Sequence, residues 1–184
     1  MRVVLLARHG PSASAPRGLL TAAQFGDYLR GYDDVGLAAA AVVPDRLRVA
    51  AARCDVVVHS PLRRAVETAG LLDTAVPRQV WPELVEAAQP APAVRGVRLP
   101  LDGWDVVTRV RWLLGRPGSV EPSRAAVARA RVVAGRLGAL NGVVLVVGHG
   151  FQNILIAREL RRRGWRGPRW PDHRHGMPTA YRRG

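Results

Sequence analysis

The sequence predicts an α/β fold in which a mostly parallel sheet carries helices on both faces. Three short apolar runs, at 2–7, 54–59 and 143–147, are rich in β-branched residues and nearly uninterrupted. Such runs are typical of strands that are covered on both faces of a sheet. Helical patterns separate the runs, and strands that alternate with helices favour a parallel sheet. The 184 residues show no internal repeat and no dividing linker, so we expect one domain over 1–184.

Local signals place the elements that follow the first strand. Proline, serine and glycine in 11–20 predict a loop. Thr21 and Gln24 have the spacing of a capping box, which predicts a helix over about 22–30. Farther on, proline and aspartate at 44–45 predict the start of a short helix.

The second strand leads directly into another helix. Ser60 and Pro61 have the residue types of an N-cap and a first helical position, so they predict a helix over 62–72. The remaining expected elements are a short strand at 76–81, an irregular stretch at 87–100, helices at 103–114, 123–140 and 151–162, and a late edge strand at 179–181.

The charge of the chain favours anionic partners. All 28 basic residues are arginine, against 14 acidic residues, which gives a net charge of +14. Arginine stays protonated and its planar guanidinium fits phosphate oxygens, so phosphorylated small molecules, nucleic acids and membrane surfaces are compatible classes. Biased codon usage would produce the same composition, so charge alone does not decide among them.

Cysteine usage and hydropathy indicate the compartment. Cys54 is the only cysteine, which excludes an internal disulfide or a cysteine zinc cluster and suits a reducing environment. The first apolar run is shorter than the apolar core of a secretory signal. No run approaches the ~20 apolar residues of a membrane span. We therefore expect a cytoplasmic protein that has no membrane segment.

Each of the three predicted core strands ends in a turn that carries arginine or histidine. The turns are Arg8-His9-Gly10, Ser60 to Arg64, and Gly148-His149-Gly150. The carboxyl ends of parallel strands meet at one edge of a sheet, which is where ligands bind in open α/β sheets. Two of the turns lead into helices, whose first N–H groups and dipole favour an anion.

Two arginines occupy the predicted first turn of the helix at 62–72, where the helix dipole disfavours positive charge. Arg63 has Glu67 one turn later as an i,i+4 partner. Arg64 faces Thr68 and has no such partner in its own helix. An anion bound at the start of this helix would resolve the misfit, and a solvated arginine is the alternative.

Together these turns resemble the motifs of the histidine phosphatase superfamily, also called phosphoglycerate mutase-like. The motifs are Arg8-His9-Gly10, the stretch Ser60 to Ala69, and Val147-Gly148-His149-Gly150, and the resemblance spans residues 2 to about 160. It implies a three-layer α/β/α sandwich and a phosphohistidine intermediate. On this resemblance His9 is the nucleophile, His149 is a second catalytic residue, and Arg8, Arg64 and Gly10 form the phosphate pocket.

Residue chemistry agrees with these roles. A neutral imidazole is a competent nucleophile near neutral pH, because its reference pKa is about 6.5. Phosphoryl transfer needs in-line positioning and neutralisation of the phosphoryl oxygens. Two arginines and a second histidine supply both without a metal. We therefore expect no metal and no cofactor, and a phosphorylated small molecule as the partner.

The reaction also needs a proton donor for the leaving oxygen. Members of the superfamily often carry this acid in a Leu-x-Glu stretch, which Leu84-Val85-Glu86 matches, so Glu86 is the expected catalytic acid. Glu83 is the alternative, because on an extended segment the two carboxylates would face different sides.

The chain departs from the superfamily pattern at positions that face the substrate. Pro11 and Ser12 follow the first motif where many members have Glu and then Thr or Ser, and 87–90 replaces a Gly-Trp-Glu-like stretch. We expect a variable, substrate-facing region over about 87–120. The sequence leaves the substrate and the oligomeric state open.

The leading interpretation is a phosphatase for phosphomonoesters. A mutase would use the same residues but typically has inserts for which this length leaves little room, and a protein phosphohistidine phosphatase could lack the acid. A module that binds anions or nucleic acid is the alternative from another class, suggested by the arginines at 161–163 with Trp165 and Trp170. No known nucleic-acid motif accompanies that run, which also suits the end of a helix.

The remaining histidines and tryptophans have structural interpretations. His173 and His175 lie in the Pro- and Arg-rich tail, and we interpret them as surface or pocket-rim residues. Trp104 and Trp112 are interpreted as packing residues, with a substrate lid as the alternative.

Overall fold

A central sheet dominates the computed structural model, which describes residues 1–116 and 120–184. The described strands are β1 (Arg2–Arg8), β2 (Leu20–Thr21), β3 (Val56–His59), β4 (Arg78–Val80), β5 (Arg98–Leu99), β6 (Val143–Gly148) and β7 (Thr179–Arg183). The five-stranded sheet has the order β4-β3-β6-β1-β7, in which only the pair of β1 with β7 is antiparallel. This arrangement confirms the predicted mostly parallel sheet, and β7 is the expected late edge strand.

The described helices are α1 (Ala22–Tyr32), α2 (Asp45–Ala52), α3 (Arg63–Gly70), α4 (Leu101–Leu113), α5 (Ser123–Ala139) and α6 (Gly150–Arg162), and Pro82–Leu84 forms a 3-10 turn. The predicted capping box begins α1: Gln24 N donates to Thr21 Oγ1, and Thr21 N donates to Gln24 Oε1. Among these helices, none combines the length and apolar character that crossing a bilayer requires.

Alternation of side chains along the strands divides the core into two layers. Val4 and Leu6 of β1 pack on one face with buried residues of α5 and α6. Leu5 and Ala7 point to the other face and pack with residues of α2 and α3. The sheet therefore lies between two helical layers, which confirms the three-layer α/β/α sandwich.

Helices α1 and α4 form a third, smaller core with the short strands β2 and β5. Phe25 stacks on Trp104 with ring centroids 6.0 Å apart, and Leu20 completes the cluster. Trp104 and Trp112 are both buried, and their indole N–H groups donate to the backbone oxygens of Leu20 and Glu121. The two tryptophans are packing residues, as expected.

The sequence-based boundary at the end of β3 is wrong. Helix α3 begins at Arg63 with Leu62 as its N-cap, so Ser60 is not the N-cap and Pro61 is not the first helical residue. The Ser60 hydroxyl instead accepts the Leu62 N–H and shares a hydrogen bond with the His149 ring. Its side chain therefore joins the residue before α3 to His149 at the strand edge and does not cap the helix.

The substrate-facing region contains more structure than expected. The stretch 87–100 includes β5, and the predicted loop at 11–20 ends in β2. Each of these strands has two residues, which is too short for an alternating pattern to show in the sequence. The expected variable region over 87–120 includes 117–119, which lie outside the described residues.

Candidate active site

The carboxyl ends of β1 and β6 bring two histidines together. The strands are adjacent and parallel, with Arg8 opposite Gly148, so the residue after each strand lies at the same edge of the sheet. His9 N donates to the Gly148 carbonyl oxygen at 2.9 Å, and the rings of His9 and His149 have centroids 5.1 Å apart. The sequence expectation that these two turns meet is correct.

The hydrogen bonds of His9 leave one ring nitrogen as an acceptor. Nδ1 lies 2.6 Å from the carbonyl oxygen of Gly10, to which it can only donate. Nε2 therefore carries the lone pair, and it accepts the Nε–H of Arg64 at 3.2 Å. A neutral imidazole in this tautomer presents Nε2 as a nucleophile.

Burial keeps both imidazoles neutral. His9 and His149 are 1% and 0% exposed. Desolvation lowers the pKa of His9 far below its ordinary value, and the nearby His149, Arg64 and Arg8 lower it further against the opposing effect of the Gly10 carbonyl. Desolvation also lowers the pKa of His149 well below its ordinary value, followed by the charges of Arg64 and Arg8.

Two buried nitrogens at this edge lack a hydrogen-bond partner in the described residues, although His149, like Arg64, is not among the residues that line the cavity beside His9. His149 Nε2 lies 2.8 Å from Ser60 Oγ, whereas His149 Nδ1 has no hydrogen-bond partner in the described part of the chain. Arg8 Nε is also buried and without a partner there. Buried polar atoms are normally paired, so a bound oxyanion beside His9 would complete the hydrogen bonding of this edge.

Arg64 is fully buried in the first turn of α3. Its Nη1 donates to the carbonyl oxygen of Tyr32 at 2.7 Å, its Nη2 lies 3.5 Å from Asp33, and its guanidinium carbon lies 4.1 Å from the centroid of the Tyr32 ring. Tyr32 is the last residue of α1, so its carbonyl belongs to the negative end of that helix dipole. Arg63 pairs with Glu67 at 2.6 Å, as expected.

Arg8 and Gly10 are the other two residues expected in the phosphate pocket, and only Arg8 lines the cavity. Arg8 lines the cavity beside His9, and its Nη1 donates to the His173 carbonyl oxygen at 3.2 Å. The backbone N–H of Gly10 instead donates to Thr68 Oγ1 at 2.9 Å, and Gly10 is not among the described residues of the cavity wall. The structure brings Arg8 to the cavity, whereas Gly10 connects the first turn to α3.

Glu86 faces the same cavity as His9, whereas Glu83 lies outside the described cavity wall. Glu86 Oε1 accepts the Gln152 N–H at 2.8 Å, and Oε2 accepts the Phe151 N–H at 3.2 Å, so the carboxylate also caps α6. Glu83 pairs with Arg136 at 2.9 Å. The geometry therefore favours Glu86 as the carboxylate that reaches a substrate.

Two adjacent histidines at the ends of core strands, one of them bonded to a buried arginine, form the arrangement that the resemblance to the histidine phosphatase superfamily implies. A family model described as "Histidine phosphatase superfamily (branch 1)" matches residues 4–180. The chain belongs to the histidine phosphatase superfamily. No curated protein sequence matches it.

Solved structures share the histidine phosphatase fold at low sequence identity. A mycobacterial glucosyl-3-phosphoglycerate phosphatase, solved with VO3, has a TM-score of 0.58 at 21% identity and covers 88% of this chain and 81% of its own. A phosphoserine phosphatase of Entamoeba histolytica, solved with phosphoserine, has a TM-score of 0.54 at 15% identity and covers 98% and 95%. A protein of Thermus thermophilus has a TM-score of 0.59 at 19% identity and covers 97% and 92%.

The cavity of this member of the histidine phosphatase superfamily has a volume of about 730 Å³ and extends well beyond His9. Its walls come from the strand ends, from α1, from α4 and from the start of α6. In the part of the chain that the structure describes, no three His, Cys, Asp or Glu side chains are grouped as a metal site.

His175 is part of the cavity wall, where sequence reasoning had placed it at most on the rim. Its Nδ1 donates to the His9 carbonyl oxygen at 2.7 Å, and its ring centroid lies 5.3 Å from that of His9. Gly176 N also donates to the Arg8 carbonyl oxygen at 2.8 Å. These contacts span most of the chain, so no local spacing indicates them.

Proposed function

We propose that this protein is a phosphatase that hydrolyses phosphomonoesters of small molecules through a phosphohistidine at His9. The hydrogen bonding of His9 carries the proposal: Nδ1 is tied to the Gly10 carbonyl, and Nε2 faces Arg64. A neutral nucleophile that is held in one tautomer beside a guanidinium meets the two main needs of phosphoryl transfer, which are positioning and charge neutralisation.

In the first step, His9 Nε2 attacks phosphorus while the bond between phosphorus and the leaving oxygen breaks. Arg64 Nε–H then donates its hydrogen bond to a phosphoryl oxygen and no longer to His9 Nε2. Arg8 and His149 also contact the phosphoryl oxygens. Glu86 enters this step as a carboxylic acid and donates its proton to the leaving oxygen, so the product alcohol departs uncharged and a carboxylate remains.

In the second step, water replaces the alcohol in the cavity. The Glu86 carboxylate takes a proton from this water, and the water oxygen attacks phosphorus while the bond to His9 Nε2 breaks. Inorganic phosphate leaves, and both His9 and Glu86 return to their starting protonation states.

Phosphatases among the solved relatives support this proposal. The names of two of them include phosphoserine and glucosyl-3-phosphoglycerate as substrates, and both share the fold of this chain. Both substrates are phosphomonoesters of small polar molecules. A mutase would share the first step but would pass the phosphoryl group to a second alcohol and not to water.

Hydrolysis of para-nitrophenyl phosphate tests the proposal. We expect wild-type protein to release equal amounts of nitrophenol and inorganic phosphate, with no change in the presence of EDTA. His9→Ala should be inactive, and His173→Ala, which changes an exposed tail side chain, should match wild type. Activity that survives in His9→Ala would contradict the mechanism, and release of nitrophenol without matching inorganic phosphate would contradict hydrolysis.

A further inference from the structure

One wall of the cavity is an apolar stripe on α4. Val106, Val110 and Leu113 have i,i+4,i+7 spacing, and all three line the cavity. They are 64%, 50% and 54% exposed, which is unusual for three consecutive large aliphatic side chains on one helix face. Such a stripe beside an active site offers an apolar surface to whatever the cavity holds.

The stripe continues into a neighbouring groove of about 620 Å³. Leu113 and Phe151 line both the cavity and this groove, so the two spaces adjoin. Ile154, Leu155 and the 58% exposed Trp170 extend the apolar floor of the groove. The groove is also lined by four arginines, whose aliphatic stems add apolar wall while their charged ends reach water, namely Arg158, Arg161, Arg162 and Arg169.

The charges along the cavity disfavour a second anionic group on a substrate. Asp102 and Asp105 line the cavity on α4, and neither forms an ion pair in the described residues. Arg109 also lines it, but its Nη1 and Nη2 donate to the carbonyl oxygens of Ala88 and Ala87 at 2.8 and 2.7 Å. A carboxylate placed beside α4 would therefore meet Asp102 and Asp105, while two nitrogens of Arg109 are committed to backbone oxygens.

We infer that the substrates are phosphomonoesters with an extended apolar group, which lies along Val106, Val110 and Leu113 and enters the groove at Phe151. The inference rests on the proposed phosphatase function of His9. The stripe and the groove adjoin the cavity that holds His9, so a phosphate at the strand ends directs the organic group toward them. This substrate class differs from the polar substrates in the names of the solved relatives.

A series of alkyl phosphates tests the inference, because chain length changes while the leaving group stays a primary alcohol. Burial of one methylene strengthens binding by about fourfold. We expect kcat/KM for octyl phosphate to exceed that for butyl phosphate by at least about tenfold, since the groove covers the chain only in part.

Two neighbouring leucines provide the variant and its control. Leu113→Ser should reduce the ratio of octyl to butyl kcat/KM by about tenfold or more, because it places a hydroxyl where the cavity and the groove meet. Leu114 is 73% exposed and is not among the described lining residues of either space, so Leu114→Ser should keep the wild-type ratio.

The outcomes separate the inference from the proposed function. Equal kcat/KM for butyl and octyl phosphate, or an unchanged ratio in Leu113→Ser, would overturn the inference while leaving a phosphatase. Failure to hydrolyse any alkyl phosphate or para-nitrophenyl phosphate would overturn the proposed function as well.

Discussion

Mild acid should destabilise this protein through its two buried imidazoles. Burial lowers the pKa of both His9 and His149, so each remains neutral in the folded chain at a pH where an unfolded chain would protonate it. The unfolded state then binds more protons, and stability falls as pH drops below the unfolded pKa of about 6.5.

The magnitude follows from proton linkage. At about pH 5.5, one unit below the unfolded pKa, each imidazole that stays neutral lowers the free energy of unfolding by about 1.4 kcal/mol relative to about pH 7.5. His9 and His149 together lower it by about 3 kcal/mol, a large fraction of the roughly 5–15 kcal/mol of a typical domain. Burial also lowers the pKa of His175, which adds to this loss, and raises the pKa of Asp105, which acts in the opposite direction.

Urea unfolding at about pH 7.5 and about pH 5.5 measures this loss directly. His149→Gln removes one titrating group, so the loss between the two pH values should shrink by about 1.4 kcal/mol even if the variant is less stable at both. His173→Gln replaces an exposed imidazole and should leave the loss unchanged. A wild-type loss below about 0.5 kcal/mol, or an equal loss in His149→Gln, would refute the reasoning.

Two substitutions test the roles of the acid and the arginine. Glu86→Gln should lower kcat/KM for alkyl phosphates by about 10²–10⁴-fold and change kcat/KM for para-nitrophenyl phosphate far less, because kcat/KM reports the first step, in which only the poor leaving group needs a proton. An equal loss of kcat/KM on both substrates would remove Glu86 from the role of acid, whereas its role as base in the second step lowers kcat for both. Arg64→Lys lacks the Nε–H that reaches His9, so kcat/KM should fall by about 10²–10³-fold, whereas Arg63→Lys on the exposed side should retain wild-type activity. Equal rates in the two lysine variants would show that the guanidinium geometry at Arg64 is dispensable.

The arrangement of the strand ends could be predicted from the sequence because it depends on local pattern and on parallel pairing. Apolar runs that end in Arg8-His9-Gly10 and in His149 place both histidines at one edge once the strands are adjacent. The misfit of Arg64 at the start of α3 could also be recognised from the sequence, and the complete burial of its side chain excludes the solvated alternative. Its protein partner, the last carbonyl of α1 at Tyr32, was not visible, because no spacing rule connects two helix ends across a loop.

The remaining features of the site depend on long-range contacts. Ser60 has the residue type of a helix cap, but its hydroxyl is used by His149, which is 89 residues away in sequence. His175 reaches His9 because β7 returns antiparallel beside β1 and brings the tail to the strand edge. Local periodicity carries no information on this long-range strand pairing, so the sequence predicted His175 as a surface or pocket-rim residue.

The most direct test of the account is to identify the residue that carries the phosphoryl group during turnover. Wild-type protein quenched in alkali during turnover of a phosphomonoester should yield one acid-labile phosphorylated peptide, with the phosphoryl group on His9 by mass spectrometry. His9→Ala should yield none and should not turn over. A phosphoryl group on any other residue, or turnover without any phosphoprotein, would contradict the assignment of His9 as the nucleophile.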